Sequence, residues 1–225
     1  MKKLLVLTCL SSSLVLCGCA PILIGSAAVG GTAVAVDRRT VGDVTNDGVI
    51  ETKASVQLAR ANFSSSHITV TAYEGRVLLT GEVGSEDDKE KAGEIVKSIN
   101  GVTTVFNELA VMNNVPFTTR MNDSLTASKV RAALLDNKDV TLTSLKVTVD
   151  RGIAYLMGTV TKQEADIITA ITAKVPGVVK VVTLMEIISP EELAKRKLNL
   201  QSSSPASPVT ETVEVQSGAE TIPIK

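Results

Sequence analysis

No tryptophan occurs in this chain, and only three phenylalanines and two tyrosines sit among its 44% hydrophobic residues. The core must therefore be built from Val, Ile, Leu and Ala, and exposed aromatic platforms for stacking bases or sugars are scarce. Charge also argues against nucleic acid as a partner: 23 Lys and Arg against 24 Asp and Glu give a net charge of −1, with no basic excess. Cysteine is missing after position 19, since Cys9, Cys17 and Cys19 account for all three. The rest of the chain can form neither a disulfide framework nor a cysteine-based zinc site. A single histidine, His67, excludes paired-histidine metal sites. It leaves a histidine-based triad one poor candidate, because no orienting acid accompanies His67 and the nearby Ser64 to Ser66. These absences point to a protein that is not an enzyme and carries no metal or other cofactor.

What the chain does contain begins with a secretion-type leader. Lys2 and Lys3 precede an apolar run, Leu4 to Leu16, which is followed by Leu16-Cys17-Gly18-Cys19. That tetrapeptide resembles the lipobox of bacterial lipoproteins, with Leu at −3, a small residue at −2, Gly at −1 and the acceptor Cys at +1. Cys17 is a poor acceptor because the bulky Leu16 directly precedes it. The competing reading is an uncleaved membrane anchor, since Ile22 to Val36 is also apolar. That second run is interrupted by Gly25, Gly30 and Gly31 and is shorter than the ~20 residues a span requires. The resemblance makes residues 1–18 a signal peptide, Cys19 the lipidation site and 19–42 a lipidated tether. With Ala20 rather than Asp at +2, it implies the periplasmic face of the outer membrane.

The body repeats itself. Ile68 to Val83 and Leu145 to Val160 both read as an alternating strand, a turn at Gly75 or Gly152, and a second strand carrying Gly81 or Gly158. After each hairpin comes a capping-box pattern, Ser85 to Asp88 or Thr161 to Glu164, and then apolar residues at helical spacing. Asn100-Gly101 and Pro176-Gly177 end these helices, and third strands are expected over Val102 to Val111 and Val178 to Ile188. A helical stretch precedes each hairpin, Val49 to Arg60 and Leu125 to Leu135, with Asp47 and Asp123 as expected N-caps. The fold class is thus α+β, with the unit α-β-β-α-β present twice and two helices packed on a small three-stranded mixed sheet in each. The boundaries are 43–112 and 123–188, joined by a linker over 113–122. Residues 189–225, rich in Ser, Pro, Thr and Glu, read as a disordered tail.

This repeated pattern, with its glycines and its Gly-Val step before the third strand, resembles the BON domain of bacterial envelope proteins. Two copies behind a lipobox are similar to the dual-BON outer-membrane lipoproteins. The resemblance implies a non-catalytic protein that supports outer-membrane integrity and gathers at division sites. It also implies that the second domain contacts anionic phospholipid, such as phosphatidylglycerol or cardiolipin, through its first helix.

The residues themselves bear on that expectation. Residues 43–112 carry six Lys/Arg and eleven Asp/Glu, whereas 123–188 carry eight and seven, so an anionic surface repels the first repeat more. On the first helix of the second repeat, Ala127, Val130 and Leu134 share a core-facing side. Leu125, Lys129, Ala132 and Leu135 occupy the other side with Arg131 at its flank, and these five are the candidate phospholipid contacts. Packing of Leu125 or Leu135 on the other repeat remains the competing reading, and an envelope protein partner docking on this helix is the alternative function. Glu86-Asp87-Asp88 suits the start of a helix better than a cation site. Arg38 and Arg39 lie near the end of the tether and reach either lipid headgroups or solvent.

Overall fold

A computed structural model describes residues 37–63 and 66–202. The leader, Cys19, the tether as far as Val36 and the tail from residue 203 lie outside the described residues. The first repeat runs α1 (Val41–Arg60), β1 (His67–Tyr73), β2 (Arg76–Val83), α2 (Glu86–Lys97), β3 (Thr104–Asn107) and β4 (Ala110–Val111). The second runs α3 (Phe117–Leu135), β5 (Leu145–Asp150), β6 (Ile153–Val160), α4 (Lys162–Thr172) and β7 (Lys180–Ile187), with a 3-10 turn over Leu142–Ser144. A last helix, α5 (Pro190–Ser202), follows.

Each repeat is an α+β unit with a small mixed sheet. β1 and β5 pair antiparallel with the central strands β2 and β6, whose other sides pair parallel with β3/β4 and β7. The expected third strand of the first repeat is split, because Glu108 and Leu109 depart from the ladder while Leu109 enters the core.

The hairpin turns explain the glycines. Glu74 and Gly75 have φ of 49° and 73°, and Arg151 and Gly152 have φ of 50° and 73°. Positive φ at both central residues of a two-residue turn is the type I′ arrangement, which matches strand twist and favours glycine at the second position. At Gly81, φ is +116° and a Cβ would lie 1.9 Å from the His67 carbonyl oxygen, so no side chain fits there.

Asp47 and Asp123 are not N-caps, and this corrects the sequence reading. Helix α1 begins after Thr40, whose hydroxyl and the Asp43 carboxylate form a reciprocal capping box. Helix α3 begins after Pro116 and absorbs residues 117–122 of the expected linker. Asp47 and Asp123 instead lie buried inside these helices and accept hydrogen bonds from the two turn amides of their own hairpins. Asp47 takes Glu74 N at 2.9 Å and Gly75 N at 3.0 Å, while Asp123 takes Arg151 N and Gly152 N, both at 2.9 Å. An acidic residue ahead of an apolar helical pattern looks the same in sequence whether it caps its own helix or staples a distant turn.

The central strands are buried on both faces. Val77, Leu79 and Val83 of β2 meet Ile50, Ala54 and Leu58 of α1 and Ala92 and Val96 of α2. Leu156 and Val160 of β6 play that part against Val130, Leu134, Ala165 and Ile168. The opposite faces join in a third core, where Tyr73, Leu78, Tyr155 and Met157 pack with Phe106, Ile153, Val182 and Leu184. The two sheets therefore stack face to face, each with its helices on the outside. This double burial accounts for the nearly continuous apolar run of β6 and for the consecutive Val77, Leu78 and Leu79 of β2. Polar bonds cross the same seam, among them Arg151 to Glu82 at 3.0 Å and Lys146 to Glu51 at 2.7 Å.

Candidate functional site

With the sheets turned inward, the outer faces of the helices are what the body presents. Helix α3 buries Asp123, Thr126, Ala127, Val130 and Leu134. Leu125 and Leu135 point away from that core and are 57% and 72% exposed, so neither is covered by the other repeat. Lys129 and Ala132 are exposed on the same side. Sequence reasoning missed two further members. Phe117 and Met121, assigned to a linker, extend the helix by four-residue steps ahead of Leu125 and are 67% and 50% exposed. The signal was present in the spacing Phe117, Met121, Leu125, but Pro116 directed attention to a loop, although proline is well suited to a helix start.

The face is apolar in its hydroxyls as well. Ser124 and Ser128 donate back to the carbonyls of Arg120 and Ser124, each at 3.0 Å, so their oxygens serve the helix itself. Lys129 adds a cation beside Leu125. Arg131 differs from the other candidates: its residue is exposed, but its guanidinium donates to the carbonyl of Val147 on the edge strand β5. It fastens α3 to the sheet and blunts that edge.

Other candidates resolve differently. His67 opens β1 with its Nδ1 buried and without a hydrogen-bond partner. Ser64 and Ser65 lie outside the described residues. Glu86 to Asp88 form the first turn of α2, where the Ser85 hydroxyl accepts from Asp88 N at 3.1 Å. Among the described residues, no group of three or more His, Cys, Asp or Glu side chains is arranged to hold a metal.

The chain matches the BON domain twice, over residues 46–113 and 122–189. The chain belongs to the BON-domain family. It is similar to the outer membrane lipoprotein DolP of Haemophilus influenzae, with 32% identity over 188 residues, covering 83% of this chain and 96% of that protein. A 21 kDa hemolysin of Actinobacillus pleuropneumoniae is 28% identical over 155 residues, 68% of this chain and 80% of the hemolysin. The osmotically-inducible protein Y of Escherichia coli is 31% identical over 142 residues, 61% of this chain and 71% of that protein.

The near-complete coverage of the DolP relative makes this BON protein an outer-membrane lipoprotein. Among the described residues, no helix is long and apolar enough to cross a membrane. BON proteins of this kind are in general binding modules rather than catalysts. In this BON chain the two domain matches bracket the two hairpins, while α5 falls beyond them.

Proposed function

We propose that the second BON domain contacts anionic phospholipid through the outer face of α3, and that the lipid-anchored protein thereby supports outer-membrane integrity, including at the division site, without catalysing a reaction. The observation that carries this reading is the exposed stripe Phe117, Met121, Leu125, Ala132 and Leu135 with Lys129 at its side. Apolar groups on one helix face enter the acyl boundary while a neighbouring ammonium meets phosphate. The charge balance agrees, since the repeat bearing the stripe is not acidic and the other repeat is.

The test is vesicle binding by a soluble form lacking residues 1–19, with phosphatidylglycerol or cardiolipin in the bilayer. Leu125→Ala, Phe117→Ala and Lys129→Glu are each expected to weaken binding several-fold, and added salt to weaken it further. Arg131→Ala is expected to act through stability rather than headgroup contact. Undiminished binding in all three face variants would reject the assignment. Absence of vesicle binding, with crosslinks from position 125 to one envelope protein, would establish the adaptor alternative instead.

A further inference from the structure

The described residues at the end of the tether do not behave as a free leash. Arg38 and Arg39, expected to meet solvent or headgroups, are both turned into the protein, one toward each repeat. Arg39 reaches the first repeat: it lies 4.4 Å over the Tyr73 ring, donates to Asp47 at 3.0 Å and pairs with Asp37 at 2.8 Å. Arg38 reaches the second repeat and is 4% exposed. Its Nη1 donates to the Thr159 carbonyl at 3.0 Å and to Glu164 Oε2 at 2.9 Å. Its Nη2 donates to the other Glu164 oxygen and, at 3.3 Å, to the Thr141 hydroxyl, and its own amide donates to Ser144 Oγ at 3.3 Å. Thr141 and Ser144 belong to the connection that leaves α3 after Leu135.

The electrostatics make this a built socket. Burial alone would raise the Glu164 pKa, yet hydrogen bonds from Arg38 and Thr161 hold it below the ordinary carboxylate value. A bidentate arginine–carboxylate pair fixes direction as well as distance. The backbone joins the tether to the first repeat through α1, but Arg38 carries that junction to the second. The first repeat is the acidic one, and the second bears the α3 stripe.

We propose that Arg38 is a positioning residue for membrane contact: it docks the end of the lipidated tether on the second BON domain, so that the anchored protein holds α3 rather than the acidic first domain toward the bilayer. This rests on the reading that α3 contacts lipid. The socket survives loss of its occupant, because Glu164 keeps the Thr161 amide at 2.8 Å and hydroxyl at 3.1 Å as partners in the α4 capping box. Removing the Arg38 side chain therefore frees the junction from Thr159, Glu164 and Thr141 without dismantling the cap.

The experiment uses the full lipidated protein in vesicles of phosphatidylethanolamine and phosphatidylglycerol. No cysteine follows Cys19, so Ser128→Cys places one fluorophore on the α3 face. A quencher carried on the acyl chains then reports how closely that face meets the bilayer. Arg38→Ala is expected to lower quenching at least twofold in the lipidated protein, and Arg38→Lys, which keeps the charge but not the fork, to fall between. Soluble forms of the native chain and of Arg38→Ala are expected to bind the same vesicles equally. Equal quenching in lipidated native and Arg38→Ala protein overturns the proposal. Weakened binding of the soluble variant also overturns it, by showing that Arg38 supports the face itself. If the native soluble form does not bind and its lipidated probe stays aqueous, the lipid-contact reading fails and the positioning role falls with it.

Discussion

Replacing Asp123 with alanine removes the acceptor for two backbone donors at once. Both Arg151 N and Gly152 N lie 2.9 Å from its carboxylate oxygens, and the residue is 8% exposed. Hydrogen bonds to a charged acceptor are worth ~1.5–3 kcal/mol each. Taking the lower figure, because a turn amide regains some water when its partner leaves, the loss is about 3 kcal/mol. For a folded body of this size, ~1 kcal/mol moves Tm by roughly 2–4 °C, so Asp123→Ala should melt roughly 6–12 °C lower. Asp123→Asn keeps one acceptor oxygen and should lose about half as much. Asp123→Ser separates two physical roles. At an N-cap serine is about as good as aspartate, whereas in mid-helix its hydroxyl is too short to reach the turn across the domain. Thermal unfolding followed by circular dichroism, repeated as urea midpoints, measures all three. If Asp123→Ser melts within about a degree of the native protein, the turn-staple account is wrong and the residue acts locally.

Two further outcomes test other parts of the fold. Gly81→Ala would bring a Cβ to 1.9 Å from the His67 carbonyl oxygen at a φ of +116°. It should destabilise by several times the ~1 kcal/mol typical of a point substitution, visible as a large fall in urea midpoint; a normal midpoint would refute the close approach of β1 and β2. The folded-state pKa of Glu164 is depressed, so its contribution is fully present above the unfolded value and is lost as pH falls through the folded one. The gap in urea midpoint between native protein and Glu164→Gln should therefore be wide at neutral pH and shrink below about pH 4; a gap that stays constant into acid would show that the carboxylate charge is not what Arg38 and Thr161 stabilise.

Much of this architecture was legible because the two copies corroborate each other. Ile68 to Val83 and Leu145 to Val160 align, and the I′ turns at Gly75 and Gly152 follow from strand twist and glycine alone. What could not be read were relations between distant residues. Asp47 and Asp123 carry the right chemistry for a cap, and only the fold shows that hairpin amides lie closer to them than the amides of a new helix. Arg38 looks solvent-bound because its carboxylate, Glu164, lies far along the chain, and Arg39 does so because its partner Asp47 reads as a helix cap rather than as a buried acid. Residues 190–202 read as part of a disordered tail by composition. They fold as α5, whose start is capped by the Ser189 hydroxyl accepting from Glu192 N at 3.1 Å and whose Arg196 pairs with Glu74 of the first hairpin turn at 2.9 Å. The apolar stripe of α3 was half visible, and its Phe117 and Met121 end was hidden by reading Pro116 as a linker.

Stacking two BON sheets face to face has a consequence for where a membrane can be touched. The arrangement consumes the sheet faces and turns α1 and α3 outward together. Helix α1 also exposes apolar side chains, with Val41 at 84% and Val44, Val49 and Val56 between 42% and 44%. Apolar exposure alone therefore does not distinguish the helices. Charge and length of side chain do. Helix α1 belongs to a repeat with five more acidic than basic groups, which an anionic leaflet repels at about 1 kcal/mol per charge near the surface. Its valines also project less far than the Phe, Met and Leu of α3. The repeats share a fold, but under the proposed lipid contact the electrostatics of one and the longer side chains of the other both favour α3, and Arg38 ties the residues before α1 to that second repeat.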